Sequence, residues 1–447
     1  MRFKSLVLIV VLFFAGFNVR ISANNENSLE ALAHKAISDD GAEAAVAIAV
    51  LREQGPAGLA AFIGVHADEL KSLNADISEP LPEWNQKSKI LNAALDSISA
   101  QRDARASLLY WYTDLEEAKT AARAESKPIL SLRLLGRLDE ELSCANSRFF
   151  RLTLYSNREV SSYLREHFIL HWKSERPVPK VTIDFGDGRK LERTITGNSI
   201  HYALDSDARP IDALPGLYGP QAFLRLLAQA ESAVKDYSAR KQKDRENFLR
   251  QYHSTRLKEI RAARATDFEK IRITTLPAQL VANSQDKKTT PAETAVRLTA
   301  TKRVAEIPLL SKVSINPRLL GPEPQDKVWV TLSGLHYKDA ELDTYSRAFI
   351  RSKNPEAFGL SNEVAKAALA RTITSLERSI AEDTVRNEYL FHLTLHDWFA
   401  RGLAGSDLEK LNERVYAELF LTPRSDPWLG LMTTDSYTGI EREGVKK

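Results

Sequence analysis

A chain of 447 residues with a single cysteine, Cys144, can close no disulfide within itself. Its fold must therefore rest on hydrophobic cores, because no covalent cross-link is available to restrict the unfolded chain. The N-terminus sharpens this constraint. Met1, Arg2, Phe3 and Lys4 form a short basic region ahead of the apolar run Leu6 to Phe14, and Ile21-Ser22-Ala23 offers a small-residue cleavage site. The run is short for a bilayer span, so 1–23 reads as a signal peptide, with an uncleaved anchor as the alternative. The expected location is outside the cytoplasm, in the periplasm or beyond the cell. A lone thiol in such an oxidising compartment calls for an explanation.

About 420 residues follow that segment, and at roughly 150 per domain they suggest two or three domains. A formal charge of +3 is small for this length and argues against nucleic acid as a partner. No later apolar stretch approaches the roughly 20 residues of a membrane helix, so no integral membrane segment is expected after the leader.

Residues 24–107 read as a helical N-terminal region. Runs such as Ala44 to Leu51 and Leu91 to Ile98 repeat apolar residues at helical spacing, with breaks at Gly55-Pro56 and at Ser78 to Pro82. The character changes near Trp111. Thr113-Asp114-Leu115-Glu116 has capping-box form, and Leu115, Ala118 and Ala122 keep a helical period until Ser126-Lys127-Pro128. Pro128 to Leu134 reads as a strand, and Cys144 to Phe150 as the opening of a helix. A further helix is expected from a Ser156 cap to Phe168, followed by the strand Phe168 to Trp172. Apolar and polar residues alternate on both sides of Asp187-Gly188, the signal of a hairpin turn. Two short strands, Ser199 to Asp205 and Pro210 to Leu214, precede a helix opened by Gly219-Pro220.

A helix ending in Lys-Pro, a strand, a cysteine opening a helix, and two late strands before a terminal helix resemble the thioredoxin-like family, in its exported bacterial form. The resemblance covers residues 108–232. It implies an α/β module set between helical neighbours, and overall an α+β, mainly helical protein. It also implies thiol-disulfide chemistry, with Cys144 and Ser147 where thioredoxins carry two cysteines. Cys144 would be the nucleophile, favoured as an anion by a helix N-terminus and by a hydrogen bond from Ser147. A hydroxyl cannot resolve a mixed disulfide, so turnover would need an external thiol. Asn198-Ser199-Ile200 falls where the family places a cis-proline facing the thiol, which makes Ser199 the third candidate site residue. Asp139, Glu140 and Glu141 lie just before Cys144 and disfavour a thiolate. Two functions remain open: monothiol exchange with a protein partner through a mixed disulfide, or a non-catalytic envelope interaction protein that keeps the fold without the chemistry. In the second, Cys144 is a small apolar core residue.

The remaining chain is expected to supply a charged connecting helix over 233–272, solvated or touching anionic lipid or a partner. An extended linker follows over 273–324, mobile from Asn283 to Thr290, and then a helical C-terminal domain over 325–447. In that domain Val328 to Leu332 reads as a short strand. Helices are expected over Ala340 to Ile350, Asn362 to Ala381, Thr384 to Arg401 and Asp407 to Leu419, and Thr422 to Leu431 as a loop docked on them. Glu388, His392 and His396 share one face of a helix, a spacing able to chelate a transition metal, but the same positions suit an amphipathic packing face. His167 and His171 straddle a helix end and a strand. Neither pair is assigned as a metal site, and no cofactor is implied.

Overall fold

The computed structural model describes residues 25–74, 85–272, 291–313, 324–354, 363–431 and 440. The expected leader over 1–23, the expected break at Ser78 to Pro82 and the expected mobile segment Asn283 to Thr290 lie outside them. The described chain is mainly helical with a small mixed sheet. No described helix is long and apolar enough to cross a membrane.

Among the described residues, five helices form the N-terminal layer: α1 (Asn25–Lys35), α2 (Gly41–Glu53), α3 (Pro56–Val65), α4 (Ala67–Leu73) and α5 (Gln86–Ser99). They close a core of their own around Leu51, Phe62, Leu91, Leu95 and Ile98. Asp40 caps α2 by accepting the N–H groups of Ala42 and Glu43. Pro56 opens α3, as a residue without a free N–H should. At Gly58 the two helices touch so closely that a Cβ would sit 2.0 Å from the Leu51 carbonyl oxygen.

After α6 (Leu115–Glu125) comes the sheet, built from β1 (Ile129–Leu135), β2 (Ile169–Arg176), β5 (Ile200–Leu204) and β6 (Pro210–Pro215) in the order β2-β1-β5-β6. β1 and β2 are parallel, whereas β5 runs antiparallel to β1 and β6 antiparallel to β5. Every residue of β1, β5 and β6 is buried, the pattern of strands covered on both faces. Between β1 and β2 lie α7 (Ala145–Phe149), a π turn over Phe150–Leu154, and α8 (Arg158–His167). The hairpin β3 (Lys180–Asp184) and β4 (Lys190–Thr194) forms as the alternation predicts. The outer edge of β2 is occupied by Tyr112, whose N–H donates to Leu170 and whose carbonyl accepts from Trp172.

Two caps differ from expectation by one residue. Asp114, not Thr113, caps α6, accepting the N–H groups of Glu116 at 2.7 Å and Glu117 at 3.0 Å. Asn157, not Ser156, caps α8 by accepting the Val160 N–H. The Ser156 hydroxyl turns instead to the Leu152 carbonyl and Ser346.

Larger differences follow β6. The helix opened by Gly219-Pro220 and the charged stretch after it form two helices, α9 (Pro220–Ala239) and α10 (Gln242–Lys270), separated by extended backbone at Arg240 and Lys241. Arg245 holds this break by donating to the Ser238 and Arg240 carbonyls. Nor is α10 a solvated connector. Leu249, His253, Leu257 and Ile260 make one buried stripe that packs on the C-terminal helices. Within the expected linker the described residues form α11 (Pro291–Arg297) and α12 (Ala300–Val313). Val328 to Leu332 is not a strand but part of α13 (Pro324–Leu335), whose buried Trp329 and Leu332 are three apart, as on a helix face.

The C-terminal part continues through α14 (Thr344–Lys353) and α15 (Glu363–Arg386). A π turn over Asn387–His392 passes without interruption into α16 (Leu393–Ala400), and α17 (Leu408–Arg414) follows. These helices share one continuous core with the sheet. At Gly219 the loop after β6 comes so near the turn before α14 that a Cβ would meet the Asp339 carbonyl oxygen at 2.1 Å. The Gly219 N–H donates to Thr384 in α15 at 2.7 Å. The loop after α17 docks through Arg176, which donates to the carbonyls of Thr422, Pro423 and Asp426.

Candidate functional site

Cys144 is the N-cap residue of α7, and the loop 136–143 brings it back to the end of β1, where its N–H donates to the Leu135 carbonyl. Ser199 directly precedes β5, the strand paired with β1, and this places its Oγ 3.1 Å from Cys144 Sγ. Ser147 does not reach the sulfur. Its hydroxyl lies 2.6 Å from Ser143 Oγ and 3.0 Å from the Cys144 carbonyl oxygen, so the contact expected from Ser147 is made by Ser199. Asp139 and Glu140 face Arg137, and Glu141 faces Arg102 and Lys353.

All three residues have no solvent exposure. Other parts of the chain close over them. The Tyr416 hydroxyl, just beyond α17, donates to the Asn198 carbonyl at 3.0 Å. Glu306, on α12, accepts the Thr196 N–H at 2.9 Å, and α12 packs on α7. Beside them, Tyr155 and His201 share a buried hydrogen bond of 2.7 Å, and burial lowers His201 to a pKa of about 3, so its imidazole is neutral.

A second polar cluster lies at the free edge of β6. Strands at an edge leave carbonyls unpaired, and here the Nε2–H of His253 donates to the Ile211 carbonyl at 3.0 Å. Asp212 follows, buried, with its carboxylate accepting the Tyr252 hydroxyl at 2.6 Å. His253 Nδ1 lies 2.8 Å from His396 Nδ1 in α16, and Phe399 stacks on the His253 ring. His392 Nδ1 is 2.8 Å from Glu388 Oε2, and its Nε2 is 3.8 Å from Asp212 Oδ1.

Burial works against charge throughout this cluster. At Asp212 it acts to raise the pKa, but the surrounding imidazoles outweigh it and hold the carboxyl well below its usual range. At His392 burial lowers the pKa, yet Glu388 and Asp212 prevail and lift it to about 9. His253 is pushed down to about 4, chiefly by burial.

No family model, curated protein or solved structure matches the chain. What the two clusters can do follows from their side chains alone. The face weighed from sequence does form, with His392 Nδ1 on Glu388 and the His392 and His396 rings 4.2 Å apart between centroids, while His396 Nδ1 turns to His253. Among the described residues, Asp212, His253 and His396 are those whose donor atoms could surround one cation. Asp212 and His253 escape a reading of spacing because they lie 184 and 143 positions from His396. A signal for Asp212 does exist, since an acid bracketed by Ile211 and Ala213 within a fully apolar strand needs a partner. The other two sequence histidines are apart: His167 pairs with Glu231, and His171 with Ser131.

Elsewhere, a largely apolar cavity of about 610 Å³ lies between α3 and β2, lined by Pro56, Leu59, Ile63, Leu108, Tyr110 and Tyr112 among others. Cys144, Ser147 and Ser199 are not part of its lining.

Proposed function

We propose that the chain is an exported, thioredoxin-like interaction protein that holds other envelope components and exchanges no disulfides. Export rests on the basic and apolar leader over 1–23. The thioredoxin-like reading is supported by the strand order β2-β1-β5-β6 with β1 and β2 parallel, by a cysteine capping the helix after β1, and by Ser199 entering β5 opposite that cysteine. The observation that carries the non-catalytic role is the complete burial of Cys144 beneath residues of the C-terminal helices. A thiolate must reach the sulfur of a partner along a clear line, and here Tyr416 and Glu306 close over the flanking Thr196 to Ser199 segment.

One observation favours the rival reading of monothiol exchange: the 3.1 Å contact between Cys144 Sγ and Ser199 Oγ, which can stabilise a thiolate. Exchange would require the C-terminal helices to part. Incubation of the native chain with glutathione disulfide and with an alkylating reagent separates the two. The interaction role expects Cys144 to resist both reagents until denaturant is added. A glutathione adduct formed by native protein, with glutathione thiolate as leaving group, would overturn it.

A further inference from the structure

Asp212, His253 and His396 come from a strand and two helices that are distant in sequence, and their donor atoms all lie within 4.8 Å of one another in the interior. Two features distinguish them from a buried polar cluster that satisfies itself. Among the described residues the Nε2 atoms of His392 and His396 have no hydrogen-bond partner, although both rings are almost wholly buried. The Nδ1 atoms of His253 and His396 also face each other at 2.8 Å. Two imidazole nitrogens so placed need either a proton or a cation between them.

His253 already has the arrangement of a ligand. Its Nε2–H is engaged by the Ile211 carbonyl, which leaves the Nδ1 lone pair directed at His396. A hydrogen bond on the far nitrogen is what fixes the ring and tautomer of metal-bound histidines. The Asp212 carboxylate is held in the same manner by the Tyr252 hydroxyl.

We propose that Asp212, His253 and His396 bind one divalent first-row transition ion, with zinc the ion to test, as a structural centre fastening β6 to α10 and α16. Two neutral imidazoles and a carboxylate suit such an ion. At metal–nitrogen distances of about 2.0–2.1 Å, two ligand nitrogens sit roughly 2.9–3.4 Å apart, so the imidazole pair need open only slightly. His392, held protonated between Glu388 and Asp212, stands beside the site with Nε2 3.8 Å from Asp212 Oδ1 and would have to give up that proton to take a fourth position. Binding moves the proton between the two Nδ1 atoms to His396 Nε2, so that both imidazoles stay neutral. The ion would cross-link three segments of a chain whose one cysteine allows no internal disulfide.

The test refolds the full chain from denaturant with zinc or with a chelator, so that the ion can reach a buried site. The expected result is one zinc retained per chain after dialysis and a higher melting temperature than the chelated form. His253→Gln and His396→Gln should each weaken zinc binding about tenfold or more. A wild-type chain that retains no stoichiometric zinc and shows no shift would overturn the proposal, as would both variants retaining zinc like wild type. Should the variants fail to fold, X-ray absorption on the cobalt-loaded wild type decides. Imidazole and oxygen ligation supports the site, and sulfur ligation or a spectrum without imidazole overturns it.

Discussion

Tyr416 donates its hydroxyl hydrogen to the carbonyl of Asn198 across 218 positions of sequence, and so ties the end of the helical C-terminal part to the residue before Ser199. Both groups are buried, and Tyr416→Phe would leave the Asn198 carbonyl without a partner there. The expected loss is about 1–2 kcal/mol in chemical denaturation. Alkylation of Cys144 should accelerate in the same variant under native conditions. Unchanged reactivity with the expected loss of stability would show that this bond does not guard the thiol.

The start of α12 depends on Asp383, which accepts the N–H groups of Ala300 and Thr301 and the Thr301 hydroxyl. Asp383→Ala removes an N-cap supplied from α15, and the cost should be roughly 1–2 kcal/mol. Proteolysis near residues 300–313 is the direct readout, since a frayed α12 would be cut first.

The same residue gives a pH dependence. Burial raises Asp383 to about 6 against the hydrogen bonds that lower it, and Asp96 is likewise raised to about 6 by burial. A carboxyl that holds its proton more tightly when folded stabilises the protein at low pH. That contribution is lost as pH climbs from the ordinary 3.8 to about 6. Unfolding free energy should therefore fall over this window, by an amount on the order of 1–3 kcal/mol per group. Asp383→Asn should flatten the slope. An equally steep slope in the variant would remove Asp383 as its source.

Arg386 is buried and donates to Glu382, to Asp326 and to the Arg297 carbonyl, with its guanidinium over the Trp329 ring. Arg386→Ala leaves Glu382 and Asp326 with Arg303 as their remaining cation and opens a cavity beside Trp329. Loss of one member of an isolated buried ion pair costs about 3–5 kcal/mol, and with Arg303 still pairing both acids a smaller fall, about 1–3 kcal/mol in urea unfolding, is expected. Arg386→Lys should recover only part of it, because one ammonium cannot span these partners.

Gly58→Ala tests the contact between α2 and α3. The added methyl collides with the Leu51 carbonyl, and backbone on both sides cannot yield as a flexible side chain would. A loss of about 1–3 kcal/mol is expected, read in the melting of the N-terminal layer.

The strands were legible in sequence because they are short apolar runs bounded by turn residues, and Asp187-Gly188 announced its hairpin directly. The α10 stripe was not. Its buried face includes His253, so a count of apolar residues undervalued it, and only the packing of α16 reveals the face. The α12 cap was illegible for a different reason, since Asp383 lies 83 positions from Ala300. Cys144 and Ser199 were expected to face each other only through the thioredoxin-like resemblance, and nothing local told of Tyr416 or Glu306. Interiors assembled from remote segments leave little trace in local spacing.

Because the only sulfhydryl of the chain is sealed inside its folded core, a covalent dimer can arise only from molecules that have opened. Disulfide-linked pairs on a non-reducing gel would therefore count unfolding events, and their rate of accumulation in an oxidising buffer would measure how often the native state lets go.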